Sequence, residues 1–223
     1  MANRRGMNSL KSLHWLLLLS LLLTACEEKT YDYGFDTGGL GGPGWPIWVE
    51  YLIINEGWQI PVGSLSGGTG DVSKRPPGGK SASMGWIPLP HTVRARWFSY
   101  RNQTFYEATA EIPEDKQKQI KQWLKRYPSS RYFPSLITGI SGQGEIQLWW
   151  DESCVKLGCP EGPKNFEFHF FELTPRIKAT VAEGDVHIYS ADTREQVRTG
   201  FLPPEVLDLI PPKPDKTDAI ETE

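Results

Sequence analysis

Between Thr92 and Ile112 the stretch TVRARWFSYRNQTFYEATAEI reads as two strands joined by a tight turn. Val93, Ala95 and Trp97 alternate with Arg94, Arg96 and Phe98, the two-residue period of a strand with two different faces. Arg101-Asn102-Gln103 form the turn, and Phe105 and Tyr106 open a second strand that runs to Ile112. The same grammar recurs along the chain. PIWVEYLIINEGWQIPVG gives a β-rich run, a turn at Asn55-Glu56-Gly57 in which Gly57 can take positive φ, and a returning strand from Trp58 to Val62. EIQLWWD and NFEFHFFEL are two further strands; in the second, Phe166, Phe168 and Phe170 point one way and Glu167 and His169 the other. KATVAEGDVHIYS predicts another hairpin, turning at Glu183-Gly184-Asp185 between Val181 and Val186.

Only PEDKQKQIKQWLKRY has a helical period. Pro113, Glu114 and Asp115 suit a helix start, Lys125 and Arg126 suit its end, and Pro128 stops it. Ile120, Trp123, Leu124 and Tyr127 form one apolar stripe, and Lys116, Lys118, Lys121 and Lys125 a solvated basic face. Seven or eight strands, one helix and no βαβ alternation predict a mostly antiparallel β domain, either sandwich-like all-β or α+β with one amphipathic covering helix. GFDTGGLGGPGW is expected to be a glycine-rich loop, and residues 63–85 a long polar surface loop. FLPPEVLDLI offers a short helical turn before the Pro-rich, charged residues 211–223, expected to be a disordered tail.

The start of the chain follows different rules. Arg4, Arg5 and Lys11 precede the short apolar run Trp15–Leu23, which is too short to span a bilayer of about 30 Å and has the form of an export signal. It ends in Leu23-Thr24-Ala25-Cys26, which resembles the lipobox of bacterial lipoproteins. That resemblance implies a signal peptide over residues 1–25, removal of it, and lipid attachment at Cys26; several acyl chains on one residue make a stable anchor. Residues 26–32 then form a lipidated tether and residues 33–210 a single β-rich domain. Glu27, where a retention signal would carry Asp, points to the outer membrane, with the domain on the periplasmic side. The lipid anchor is thus the expected link to the membrane.

Loss of the leader's three basic residues takes the net charge from −3 to −6. An acidic chain lacks the basic footprint of a nucleic-acid partner, so none is expected. Cys154 and Cys159 remain, and an oxidising compartment favours a disulfide between them over free thiols. A zinc site would need two more ligands at matching spacing, and the sequence offers none, so no metal and no cofactor is expected.

Other chemistry finds little support. Gly79-Lys80-Ser81 lacks the glycine spacing of a phosphate loop, and Pro76-Pro77 oppose the bend into a helix. Gly63-Ser64-Leu65-Ser66-Gly67 places Leu65 where a nucleophile would sit, and Asp185 with His187 lacks a third metal ligand. His169 reads as a surface or satisfied histidine. A carboxylate pair for glycoside hydrolysis leaves no sequence signature. These readings favour a protein that is not an enzyme. Trp45, Trp48, Trp58, Trp86, Trp97, Trp149 and Trp150 are numerous, and aromatics of this kind line protein interfaces as well as cores. Most are assigned here to the core.

YDYGFDTGG, VEYLIINEGWQIPVG and MGWIPLPHTVRARWFSYRNQTFYEATAEIP together resemble a bacterial lipoprotein family, the domain of unknown function 2931, over residues 31–175. Pro88-Leu89-Pro90, Trp97-Phe98-Ser99, Phe105-Tyr106 and Ile112-Pro113 carry the resemblance most specifically. The family brings no catalytic residues to transfer. Some of its members look like immunity proteins against lipases delivered by type VI secretion, which implies a protein-binding role with a cognate lipase effector as partner. An envelope structural or maintenance lipoprotein without a toxin partner, and then an envelope hydrolase, are the alternatives. Partner-contacting residues and oligomeric state have no sequence signature.

Overall fold

Alternation at period two organises the chain into twelve strands among the residues described. The computed structural model describes residues 29–68, 70–154, 159 and 169–212. In chain order the strands are β1 (Thr30–Gly39), β2 (Ile47–Ile54), β3 (Trp58–Gln59), β4 (Gly63–Leu65), β5 (Gly79–Pro88), β6 (Thr92–Ser99), β7 (Thr104–Glu111), β8 (Tyr132–Ser141), β9 (Glu145–Cys154), β10 (Phe170–Glu172), β11 (Ile177–Lys178) and β12 (Thr180–Ala182). Helix α1 spans Glu114–Arg126 and α2 spans Ser190–Arg198, with 3-10 turns at Val186–Tyr189 and Pro204–Leu209. The first sheet has the order β10-β9-β8-β1-β5, with β11 also on β9. The second has the order β12-β7-β6-β2-β3, with β4 also on β2. All pairs with a defined register are antiparallel except β1 with β8, where Gly34 faces Ser135 and Gly38 faces Gly139 in parallel.

The two sheets pack face to face. One core takes Tyr33, Phe35, Leu136, Ile140, Leu148 and Trp150 from the first sheet and Val49, Leu52, Val93, Ala95, Trp97 and Ala110 from the second. Trp97 donates its indole N–H to the Ser141 carbonyl at 3.0 Å, which ties the two layers together. Helix α1 closes one side. Ile120 is fully buried, and the Trp123 ring meets Phe171 at 4.6 Å and His169 at 4.1 Å, as the apolar stripe predicts. The fold is therefore mostly β with a covering helix.

Several local expectations change. The first half of GFDTGGLGGPGW, Gly34 to Gly39, is strand β1, and only the second half is the expected loop. A Cβ on Gly34 would meet the Phe133 ring at 2.6 Å, and one on Gly39 would meet the Ser66 carbonyl oxygen at 2.1 Å. The glycines permit close packing of strand against strand and loop. β1 also begins at Thr30, within the stretch expected as tether, and Tyr31 packs against the core. Residues 63–85 contain β4 and the start of β5, so Gly79-Lys80-Ser81 lies on a strand. The connection between them is no plain surface loop: Pro76 and Pro77 are buried, and Val72 packs on Leu40, Ile137 and Trp149. Positive φ in the first hairpin turn falls on Asn55 (51°) and Glu56 (55°), not Gly57. The Asn55 side chain explains its place there, because it donates to the Leu89 carbonyl and accepts from the His91 backbone N–H.

The hairpin predicted around Glu183 does not form. β12 pairs instead with β7, Val181 facing Tyr106. Asp185 accepts the His187 backbone N–H and starts the 3-10 turn that leads into α2, a second helix that the sequence pattern did not reveal. Cys154 and Cys159 are disulfide-bonded, at the end of β9. Cys26, Phe166, Glu167, Phe168 and residues 213–223 lie outside the described residues.

Candidate functional site: the outer faces of the two sheets

A sandwich leaves each sheet one face away from the core, and here the two outer faces solve the polar problem in opposite ways. On the second sheet the register of β6 with β7 puts Arg94, Arg96 and Phe98 outward beside Glu107 and Phe105. In β2 the register shifts between Val49 and Tyr51. This bulge brings Glu50 and Tyr51 to the same outer face, next to one another. Arg96 Nε then meets Glu50 Oε2 at 2.5 Å, and Tyr189 donates its hydroxyl to Glu50 Oε1 at 2.9 Å. Tyr51 donates to Glu107 Oε1 at 2.6 Å, and Arg94 bridges Glu107 at 3.6 Å and Glu56 at 3.1 Å. The Arg94 guanidinium lies 5.2 Å from the Tyr51 ring centroid, and Arg96 lies 5.1 Å from that of Phe105. Burial and the Glu107 carboxylate both push the Tyr51 hydroxyl above its ordinary value, so it stays a donor. Trp48 stands at the rim, 37% exposed and 6.3 Å from Tyr189.

One end of this face is covered. Tyr189 stacks on Phe98 at 4.6 Å, and Phe105, Tyr100, Leu202 and Val206 complete a small separate core under the C-terminal turns. The remainder is an open, half-buried array of Trp, Tyr and Arg whose rotamers are held by three glutamates. Its guanidinium groups and aromatic rings present a polar, aromatic surface.

The outer face of the first sheet is packed where the second is charged. Trp149, Ile137 and Leu40 form a covered apolar cluster. A Cβ on Gly139 would strike the Trp149 ring at 2.8 Å and Pro77 at 2.9 Å, which shows how tightly the loop lies on the sheet. Beyond the loop the face turns polar. Asp151 is 5% exposed; its Oδ2 accepts from Ser153 at 2.5 Å, and its Oδ1 is buried without a partner. Burial first, and the Asp36 charge in support, raise its carboxyl to about 6, while Ser153 and the His169 backbone N–H pull the other way. Asp36 accepts from the Ser81 hydroxyl. A cleft of about 450 Å³ lies beside them, lined by Phe35, Asp36, Ser81, Ala82, Ser83 and Phe133.

On the inner side of the same strand Glu152 is fully buried. It accepts from Trp150 Nε1 at 3.0 Å, its second oxygen has no partner, and burial raises it to about 8, so it is largely neutral at pH 7. His169 follows Glu152 across the β9–β10 ladder and stacks flat on Trp123; burial and nearby Arg126 hold its imidazole below the ordinary value. It packs flat against α1 and is half-buried with its Nδ1 unpartnered, so it is neither the surface nor the satisfied histidine expected from the sequence. Asp185 and His187 meet only through the backbone N–H of the turn. Among the described residues, no group of three or more His, Cys, Asp or Glu is placed to hold a metal.

The family model of a protein of unknown function, DUF2931, matches residues 29–199. The chain belongs to the DUF2931 family. No curated protein and no solved structure matches it. Within this DUF2931 chain the tryptophans divide clearly. Among the described residues Trp97, Trp149 and Trp150 are fully buried, Trp45, Trp58 and Trp123 half-buried, and Trp48 and Trp86 exposed. The arginine–glutamate array was not singled out from sequence. Its signal was the Arg94-x-Arg96 repeat, but the facing acids come from β2 and β7, and the bulge at Glu50 leaves no local trace.

Proposed function

We propose that this protein is an outer-membrane lipoprotein, facing the periplasm, that acts by binding another protein. In its sharpest form it is an immunity protein that occludes a phospholipase effector delivered by type VI secretion. The observation that carries the reading is the open array of Trp48, Tyr51, Arg94 and Arg96 on the second sheet. These residue types dominate protein interfaces, and here their side chains are already ordered by Glu50, Glu56 and Glu107, so little entropy is lost on docking. The leader of residues 1–25, followed directly by Cys26, supports an anchor at the membrane where such a lipase acts.

The test is survival of cells lacking the gene when challenged by siblings that carry each neighbouring effector. Death, rescued by the native chain but not by an Arg94→Glu/Arg96→Glu variant made in equal amount, is the expected outcome. Survival against every effector overturns the immunity reading. Labelling with a radioactive fatty acid checks the anchor: a Cys26→Ala chain that still takes up label removes it.

A further inference from the structure

The edges of the two sheets differ in length. β12 and β10 are three residues long, and β2 is flanked along its free side by the short β3 and β4. β5 is ten residues long, and among the described residues no strand pairs with its outer edge. Long free edges are normally blunted by charge, proline or a bulge. β5 has these only at its ends: Lys80 at the start, and Gly85 (φ 73°) and Pro88 near the finish. Gly85 also breaks the alternation, so Met84 and Ile87 both pack inward and Trp86 between them is 70% exposed. Ser81, Ala82, Ser83 and Met84 form an unblunted stretch of edge.

The chemistry beside that stretch selects a sign. The 450 Å³ cleft carries the Asp36 carboxylate, which forms no ion pair with a described residue, and the Asp151 carboxyl lies on the same face of the sheet. Phe133, 46% exposed, sits on Gly34 and gives the cleft an aromatic wall. An ammonium or guanidinium with an aliphatic stem matches a carboxylate beside an aromatic ring. The chain's own residues 213–223 match poorly, with two lysines against four acids and a proline. A second copy would bring a second Asp36 to the same acidic face.

We propose that β5 is a docking edge for an extended segment of another protein, which adds a strand along Ser81–Met84 and places a Lys or Arg side chain in the cleft against Asp36 and Phe133. This shares with the proposed function only that the partner is a protein, and it uses a different face of the molecule.

The test is selection from a phage-displayed random dodecapeptide library against the full-length protein in detergent. Expected is enrichment of peptides with alternating β-formers and a central Lys or Arg. Synthetic versions should lose affinity about tenfold or more against Asp36→Asn, and should tolerate Arg96→Ala on the other sheet. Backbone N-methylation of the peptide should abolish binding at alternate positions only, a readout that does not depend on any protein variant folding. No enrichment, acidic consensus peptides, or tolerance of N-methylation at every position overturns the proposal. So does a dimer formed through β5, or competition by a peptide of residues 213–223 alone. If peptides bind as expected but the gene gives no protection, the immunity reading fails and the edge stands. If protection holds and no peptide is selected, the reverse is true.

Discussion

The outer face of the second sheet and β9 of the first carry the same kinds of charged group, and they treat them differently. Arg94, Arg96, Glu50, Glu56 and Glu107 are partly exposed and mutually paired. Asp151 and Glu152 are almost wholly buried, each with one oxygen lacking a partner. Water screens the first group, so its ion pairs organise side chains more than they stabilise the fold. The second group cannot be ionised cheaply, so it holds protons that it would give up in water. The contrast separates a water-screened, paired surface from a strand whose stability is tied to pH.

The largest expected effect tests the covering of the first sheet. Trp149→Ala removes a fully buried ring beneath the loop and should cost about 3–5 kcal/mol, seen as a fall of about 10 °C or more in melting temperature. Trp48→Ala, at the rim of the other face, should cost under about 1 kcal/mol. Similar losses for the two would show that the loop does not seal the first face.

A smaller effect follows from Glu152. Its folded value of about 8 lies above the 4.5 of an unperturbed glutamate, so the folded state binds the extra proton. This contribution to stability is full at low pH and is lost as pH rises from about 4.5 to about 8. Asp151 acts with the same sign between 3.8 and about 6, whereas His169, held below 6.5, costs stability as pH falls through that value. Glu152→Gln keeps an acceptor for Trp150 and cannot ionise. It should melt above the native chain at pH 8, by an amount worth about 1–3 kcal/mol, and close to it at pH 5. A gap that does not change with pH would mean that Glu152 is ionised in the fold.

The smallest effect belongs to the paired face. A double-mutant cycle on Arg96 and Glu50, whose side chains are 22% and 25% exposed, should give a coupling of about 0.5–1 kcal/mol in thermal or urea melts. A coupling several times larger would make the array a structural keystone and weaken its reading as a contact surface.

Local periodicity carried the β6–β7 hairpin and helix α1 from sequence to structure almost unchanged. In each, neighbours in the chain are neighbours in space, and the buried face can be counted off residue by residue. The same reasoning failed for β1, where glycines signal loop by composition but permit close approach by packing. It failed again after Ala182, where β-branched and aromatic residues at Val186–Tyr189 became a turn because Asp185 caps it and Tyr189 stacks on Phe98.

From its own residues the chain announced a β-rich domain, one amphipathic helix and a pairing of Cys154 with Cys159; these rest on short-range pattern and spacing. Tertiary structure alone decided that β1 lies parallel to β8, that Glu50 and Tyr51 turn to the same face, and that β5 is left as a ten-residue edge beside Asp36. Those outcomes depend on which distant strand wins a place in each sheet, and that competition is settled by packing between segments that share no local signal.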